Sequence, residues 1–228
     1  YFARTVAIDN SSRDWYCHLD ADDRLPANMV KDVISGIDKH PNAKFLIGRC
    51  LYFDEKNFYV RVNEGISDKK LAYTLPFCGQ SPIKRKIFNQ IGSFCKELYR
   101  GGADWDFWIN IVESGLIGNN IDKIIYERRM RKISVGNSWA SKRYEVAKLL
   151  IERHPIFFSD KNNKDSCIRK SLELSAREYR SLGKRKKAAI LAQRLINMGI
   201  RKDNIISIID EGDMPFWRYL LRRIGRHI

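Results

Sequence analysis

At 228 residues with a hydrophobic fraction of 44%, the chain is long enough for one domain with an appendage and is too apolar to be disordered. Its net charge of +15 favours an anionic partner, such as nucleic acid, an acidic membrane surface or a phosphorylated small molecule. The five scattered cysteines include no C-x-x-C pair, which excludes a recognisable zinc site, and no run reaches the roughly 20 apolar residues of a membrane span. Reduced thiols favour the cytoplasm.

The predicted elements of the first part of the chain alternate between helices and strands. In chain order they are a helix ending at 4–8, a buried strand over 15–19, a helix from 29 to 40, two hairpin strands over 44–53 and 58–62, a short helix over 84–90, a helix over 105–112 and a strand over 121–126. This alternation indicates an α/β fold.

After about residue 141 the apolar spacing predicts helices only, so we place a boundary at residue 138. Residues 1–138 form the α/β portion, and residues 139–228 form a helical region. Its last helix, over 216–228, alternates apolar residues and arginines. This pattern suits peripheral contact with an anionic membrane, on its inner face, or a helix docked on the body of the protein.

Three carboxylates, Asp20, Asp22 and Asp23, directly follow the predicted strand over 15–19. Like charges this close repel each other, and a bound cation relieves the repulsion. Oxygen ligands select hard cations, so the cluster predicts a site for Mg²⁺ or Mn²⁺. The alternative is a solvated turn whose aspartates cap the next helix.

Two sets of motifs resemble family 2 glycosyltransferases of the GT-A fold. Residues 3–8 and 15–23 are similar to an arginine-containing helix followed by a strand that ends in an Asp-x-Asp motif, here Asp20 and Asp22. Residues 79–83, 91–94 and 101–108 are similar to the acceptor-side segments of that family. The resemblance covers about residues 3–135 and implies a GT-A-like, Rossmann-related mixed sheet with flanking helices.

The resemblance implies a role in donor binding for several residues of the first motif. Asp22 is expected to bind the metal on the donor diphosphate, with Asp20 at the metal or the ribose. Asp23 is expected to assist them, and Arg4 to reach the donor phosphates unless it is an ordinary surface arginine. The implied donor is a nucleotide-diphosphate sugar.

The second set of motifs implies the acceptor side and the catalytic base. Asp104 is expected to be the general base of an inverting transfer, and Asp106 a helper or a structural residue. Phe77, Gly79 and Trp105 are expected to bind a saccharide or lipid-linked acceptor. The reaction would serve the synthesis of cell-surface polysaccharide or glycolipid.

The sequence departs from the family pattern in three places. Ala103 stands where the family usually has Glu, and Asn110 replaces a common Arg. Where the family often has a histidine, this chain has Arg129, Arg131 and Lys132. These cationic side chains are expected to bind the donor, and they could cover the diphosphate and lessen dependence on a metal.

The first strands of the family, which hold the nucleotide, would precede Tyr1, so we expect the natural polypeptide to extend several dozen residues upstream. Three other functions compete with the transferase. A basic nucleic-acid-binding protein would explain the charge but not the acidic cluster, which repels phosphates. A glycosidase could use Asp22 and Asp104 as its acid–base pair, and a third possibility is a catalytically inactive scaffold.

Overall fold

The structure, a computed structural model, describes residues 1–61, 65–66, 68–99, 101–130, 140–201 and 204–205. Helices and strands alternate through residue 129: α1 (Phe2–Asp9), β1 (Trp15–Tyr16), α2 (Met29–Lys39), β2 (Leu46–Phe53), β3 (Phe58–Arg61), α3 (Asp68–Leu71), β4 (Ile83–Lys84), α4 (Lys86–Ile91), α5 (Ala103–Glu113) and β5 (Asn119–Arg129). The described elements beyond residue 139 are all helical: α6 (Arg143–Arg153), α7 (Lys161–Ser181) and α8 (Arg185–Asn197), with short 3₁₀ turns between them.

Two small sheets form the framework of the α/β portion. In the larger sheet the strand order is β3-β2-β5, with β2 antiparallel to β3 and parallel to β5. In the smaller sheet β1 pairs with β4. The mixed sheet with flanking helices and the helical region after it confirm the predicted fold class within the described residues.

The strand expected over 15–19 is confined to Trp15–Tyr16. The backbone beyond it is held by two contacts with β5: the Asp20 amide donates to the Tyr126 hydroxyl at 3.1 Å, and Arg24 and Glu127 exchange two backbone hydrogen bonds. Conversely, β5 runs three residues past its predicted end because it pairs with β2 as far as Phe53 and Arg129. Residues 15–18 are half-buried and Leu19 is 50% exposed, so the prediction of a buried strand over 15–19 is wrong in its extent and in its burial.

The main core lies around α5, which buries almost every residue between Ala103 and Ile111. Side chains of the helical region, Ala147 and Leu150 of α6 with Phe157 and Phe158 after it, belong to the same core. The α/β portion and the first helix of the helical region are thus packed together. The boundary at residue 138 and the last helix over 216–228 lie outside the described residues.

Across the described ranges, each helix is too short or too polar to cross a lipid bilayer.

Gly102, the residue before α5, fixes how the helix begins. Its φ of 95° lies in the left-handed region, and a methyl group there would approach Val146 Cγ1 to 2.6 Å. Backbone strain and a clash would therefore both oppose any larger residue.

We predict that Gly102→Ala lowers the free energy of unfolding by about 2–4 kcal/mol, from the left-handed backbone and the contact with Val146 combined. Gly115→Ala is the matched control because its φ is also positive, at 63°, in the turn that closes α5, while a methyl group there would meet nothing within 4 Å. Urea denaturation of both variants measures the difference. Equal losses would contradict a role for the contact between the α/β portion and α6.

Candidate active site

The acidic turn after β1 is fixed by side chains from three other parts of the chain. Arg4 of α1 forms an ion pair with Asp20 Oδ1, and Gln80 Nε2 donates to Asp20 Oδ2 at 3.1 Å. The Tyr126 hydroxyl donates to Asp23 Oδ2 at 2.9 Å. The structure thus brings the predicted residues Arg4, Asp20 and Asp23 together.

Arg129 of β5 holds the same turn from the opposite side. Its amide donates to Asp23 Oδ1 at 2.8 Å, and its Nε donates to the Asp22 carbonyl at 3.2 Å. Its guanidinium lies 4.8 Å from the centre of the Phe53 ring. The contacts of Asp23 and Arg129 therefore fix the shape of the turn. Asp22, whose side chain is half-buried, lies in this turn between Asp20 and Asp23 in sequence.

Asp104, the second residue of α5, lies beside this turn although it is 84 positions away from Asp20 in sequence. Burial opposes the charge of Arg4 and lowers its pKa. The carboxylates of Asp20 and Asp104 are among the groups that outweigh burial, so the pKa of Arg4 lies above its ordinary value. Burial and the charge on Asp104 also raise the pKa of Tyr1. A methyl group on Gly79 would lie 3.6 Å from Asp104 Oδ2, so Gly79 borders the carboxylate.

Arg128 also faces this site, although the sequence analysis placed only its neighbours there. Desolvation opposes its charge, but Tyr52, Asp23 and Asp104 are among the groups that raise the pKa of Arg128. The alternation of a β-strand could have found it, because residues 126 and 128 face one side and Arg129 the other. Tyr126 and Tyr1 are further contacts that no motif indicated. Gln80 belongs to residues 79–83, which the sequence analysis compared with the acceptor side, but it contacts Asp20.

His18 adds a neutral group to the site. Burial lowers its pKa to about 3, and the positive charge of Arg4 contributes to the shift. The imidazole is therefore uncharged near neutral pH. Its Nε2 atom is buried without a hydrogen-bond partner in the protein, so a bound ligand or water can satisfy it.

The carboxylates of the site differ in their fitness to hold Mg²⁺ or Mn²⁺. Both oxygens of Asp20 already accept a hydrogen bond, from Arg4 and from Gln80, so a metal contact from Asp20 would have to share an oxygen with one of these donors. No group of three or more His, Cys, Asp or Glu side chains among the described residues could enclose an ion. Since Mg²⁺ is often held by one or two carboxylates together with substrate phosphates, Asp22 fits an ion that arrives with a diphosphate.

Asp106 lies in a different environment from Asp104. It is fully buried, and its Oδ1 accepts from Arg153 Nε at 2.7 Å and lies 3.0 Å from His154 Nε2. The other nitrogen of His154 lies 2.8 Å from Glu113 Oε2, at the far end of α5. Asp106 therefore ties α5 to the end of α6, and its carboxylate is shielded from any substrate.

Two aromatic residues expected at the acceptor are core residues instead. Trp105 is 2% exposed and its indole N–H donates to the Leu71 carbonyl at 2.6 Å. Phe77 is also 2% exposed and packs edge-on against Trp108, with ring centres 4.7 Å apart. Direct contact of these two rings with an acceptor is therefore blocked in this structure. Arg131 and Lys132, expected at the donor, lie outside the described residues.

No protein-family model matches the chain, and no curated protein sequence matches it. Solved structures of S. aureus TarS resemble it in fold. TarS 1–349 in complex with UDP-GlcNAc is 15% identical, with a TM-score of 0.56, and the match covers 91% of this chain and 61% of that one. TarS 1–349 in complex with UDP is 16% identical, with a TM-score of 0.54, and the match covers 96% and 65%.

The chain therefore spans about three fifths of the length of TarS 1–349. At this level of identity the likeness concerns the fold alone. The α/β fold of this chain is GT-A-like, as the motifs predicted.

The buried contacts of Asp106 predict a pH-dependent stability. Burial opposes its ionisation, but the hydrogen bonds from His154 and Arg153 outweigh burial and hold the pKa of Asp106 below its ordinary value. A carboxyl with a lowered pKa stabilises the fold above about pH 4, and this contribution is lost as the pH falls further.

We predict that Asp106→Asn lowers the free energy of unfolding at pH 7 by about 1–3 kcal/mol, because the amide cannot replace the charged oxygen that accepts from Arg153 and lies beside the buried His154. The difference from the wild type shrinks as the pH falls below about 4. Asp122→Asn is the control, since the Asp122 side chain is 89% exposed beside Arg49 and its loss should cost about 0–1 kcal/mol. Denaturation curves from pH 7 to pH 3 measure both variants, and a pH-independent loss for Asp106→Asn would contradict the assignment.

Proposed function

We propose that the protein is an inverting glycosyltransferase that moves a sugar from a nucleotide-diphosphate donor to the hydroxyl of a saccharide or lipid-linked acceptor. One observation carries the proposal: Arg4 forms an ion pair with Asp20, and the Asp104 carboxylate is close enough to raise the pKa of the same guanidinium, although the two carboxylates come from distant parts of the chain. An acidic turn beside a separate carboxylate is the arrangement that donor binding and proton removal require.

Support for the donor comes from the charges around the acidic turn and from the fold. Arg4 and Arg128 both lie close to Asp104, and Arg129 holds the turn at Asp22. Guanidinium groups bind phosphate oxygens well. The S. aureus TarS structures hold UDP-GlcNAc and UDP, so UDP-sugars are the first donors to test.

We assign Asp22 as the ligand of a Mg²⁺ or Mn²⁺ ion that reaches the site with the donor diphosphate. Such an ion stabilises negative charge on the departing diphosphate. Asp20 would then hold Arg4 in place rather than touch the ion, because Arg4 and Gln80 already occupy its two oxygens. Asp23 would hold the turn through Tyr126 and the Arg129 amide.

In this proposal Asp104 is the general base. It takes the proton of the acceptor hydroxyl as the hydroxyl oxygen attacks the anomeric carbon and the bond to the diphosphate breaks. The bond forms on the face opposite to the leaving group, which inverts the configuration. The absence of a side chain at Gly79 leaves room beside Asp104 for the acceptor. Asp106 is a positioning residue that fixes α5, because its carboxylate faces Arg153 and His154.

Peripheral membrane contact is a separate proposal. It is supported by the alternation of apolar and arginine residues over 216–228, which lie outside the described residues. A lipid-linked acceptor would suit an enzyme held at a membrane surface.

We predict that Asp104→Asn lowers kcat for transfer by about 100- to 10,000-fold, because the amide cannot accept the proton of the acceptor. UDP binding, measured by calorimetry in the full natural polypeptide, should stay within twofold of the wild type. Asp104→Glu should recover part of the rate. Transfer at the wild-type rate by Asp104→Asn would contradict its role as the base, and a wild type that turns over no nucleotide sugar would favour an inactive scaffold.

A second prediction concerns the metal. Asp22→Asn should raise the Mn²⁺ concentration needed for half-maximal transfer by about tenfold or more, since the loss of a metal ligand weakens binding. Excess EDTA should abolish wild-type transfer. An unchanged rate in EDTA, together with loss of activity in Arg131→Ala, would instead support cationic side chains as the groups that neutralise the diphosphate.

A further inference from the structure

The face of the larger sheet that carries Arg128 also carries an exposed aromatic pair. In the pairing of β2 with its two neighbours, Tyr52 lies opposite Arg128 on one side and opposite Tyr59 on the other. Residues paired in this way share a face of the sheet. Arg128, Tyr52 and Tyr59 therefore form one row across all three strands, from the middle of the site to the edge strand β3.

The two tyrosines form a stacked platform. Their ring centres are 5.0 Å apart and the rings are nearly parallel, at 7°. Tyr52 is half-buried and packs against the core that contains Cys50 and Tyr126, whereas Tyr59 is 51% exposed. An inner ring fixed by the core thus supports an outer ring that is open to solvent. Exposed aromatic rings held in place in this way are typical of binding sites.

The row is continuous with the proposed active site. The charge on Asp104 and the Tyr52 hydroxyl both raise the pKa of Arg128, after desolvation, which opposes its charge. Geometry connects the two as well: Tyr52 packs against the core cluster that contains Cys78, and a methyl group on the next residue, Gly79, would lie 3.6 Å from Asp104 Oδ2. The backbones of Arg128 and Tyr59 are two strand spacings apart, roughly 10 Å. A ligand that reaches from Asp104 past Arg128 to Tyr59 must therefore be longer than a single sugar ring.

We propose that the Tyr52–Tyr59 platform binds a neighbouring sugar residue of a saccharide acceptor, while the reacting hydroxyl lies at Asp104. The inference rests on the proposed transferase function and names the acceptor as an oligosaccharide or polysaccharide. The apolar C–H face of a sugar ring packs on the open face of Tyr59, and the Tyr hydroxyl and Arg128 supply polar contacts to its edge. In this proposal the platform has the acceptor-binding role that the sequence analysis gave to Phe77 and Trp105, which are buried.

Phe58 provides a matched control. It precedes Tyr59 in β3 and is more exposed, at 77%, but its side chain points to the opposite face of the strand. There it borders a separate groove of about 460 Å³ whose lining includes Arg24, Phe53 and Arg129. If nonspecific contact with exposed aromatic side chains accounts for saccharide binding, Phe58→Ala and Tyr59→Ala should weaken it equally. If the platform accounts for it, only Tyr59→Ala should weaken it.

The test measures saccharide binding with the full natural polypeptide on a printed array of defined glycans, from monosaccharides to hexasaccharides, followed by calorimetry with the glycan that is retained best. We expect Tyr59→Ala to weaken binding of oligosaccharides by at least about tenfold, because it removes the aromatic face that the bound sugar ring would cover. Tyr59→Phe should bind within twofold of the wild type, and Phe58→Ala should be unchanged. Thermal unfolding of each variant verifies that the fold is retained.

Three results would overturn the platform: a wild type that retains no glycan, a Tyr59→Ala variant that binds as well as the wild type, or an equal loss in Phe58→Ala. A separate assay of nucleotide-sugar turnover in water distinguishes failure of the platform from failure of the transferase function. Tyr59→Ala should leave this turnover unchanged. If the wild type turns over no nucleotide sugar but binds glycans through Tyr59, the transferase proposal fails and the platform stands.

Discussion

The guanidinium of Arg4 is the interaction on which the site depends. It pairs with Asp20 and is close enough to Asp104 for both carboxylates to raise its pKa, although burial opposes its charge. Without it, two half-buried carboxylates from distant parts of the chain would repel each other at one place. Arg4 therefore both holds the acidic turn and makes it possible for the start of α5 to lie beside that turn.

The position of α5 depends in turn on the helical region. His154, at the end of α6, lies between Asp106 and Glu113, two carboxylates on one face of α5. The same helix α6 packs Val146 against Gly102. The helical region thus supports the helix that carries Asp104.

The sequence predicted the fold class because it follows from local patterns. Asp20 and Asp104 were selected through their motifs, and their roles stay predictions; Asp20 pairs with Arg4, and the charge on Asp104 raises the pKa of Arg4. Contacts between distant residues left no such pattern. The polar group of each of two buried side chains has its hydrogen-bond partner far away in sequence: the Trp105 indole donates to the Leu71 carbonyl, and Asp106 accepts from Arg153 of α6. The burial of Trp105 and Asp106 could therefore not be inferred from a motif. Arg128 could have been found, because strand alternation separates it from Arg129.

Anomalous diffraction from crystals grown with UDP and Mn²⁺ tests the central claim most directly. The account predicts a manganese peak within ligand distance of the Asp22 carboxylate and of the diphosphate, with Arg4 still paired to Asp20 and with Asp104 facing the open side of the nucleotide. A nucleotide bound away from the acidic turn, or a manganese ion far from Asp22, would contradict the proposal that Asp22 and Asp104 serve one reaction.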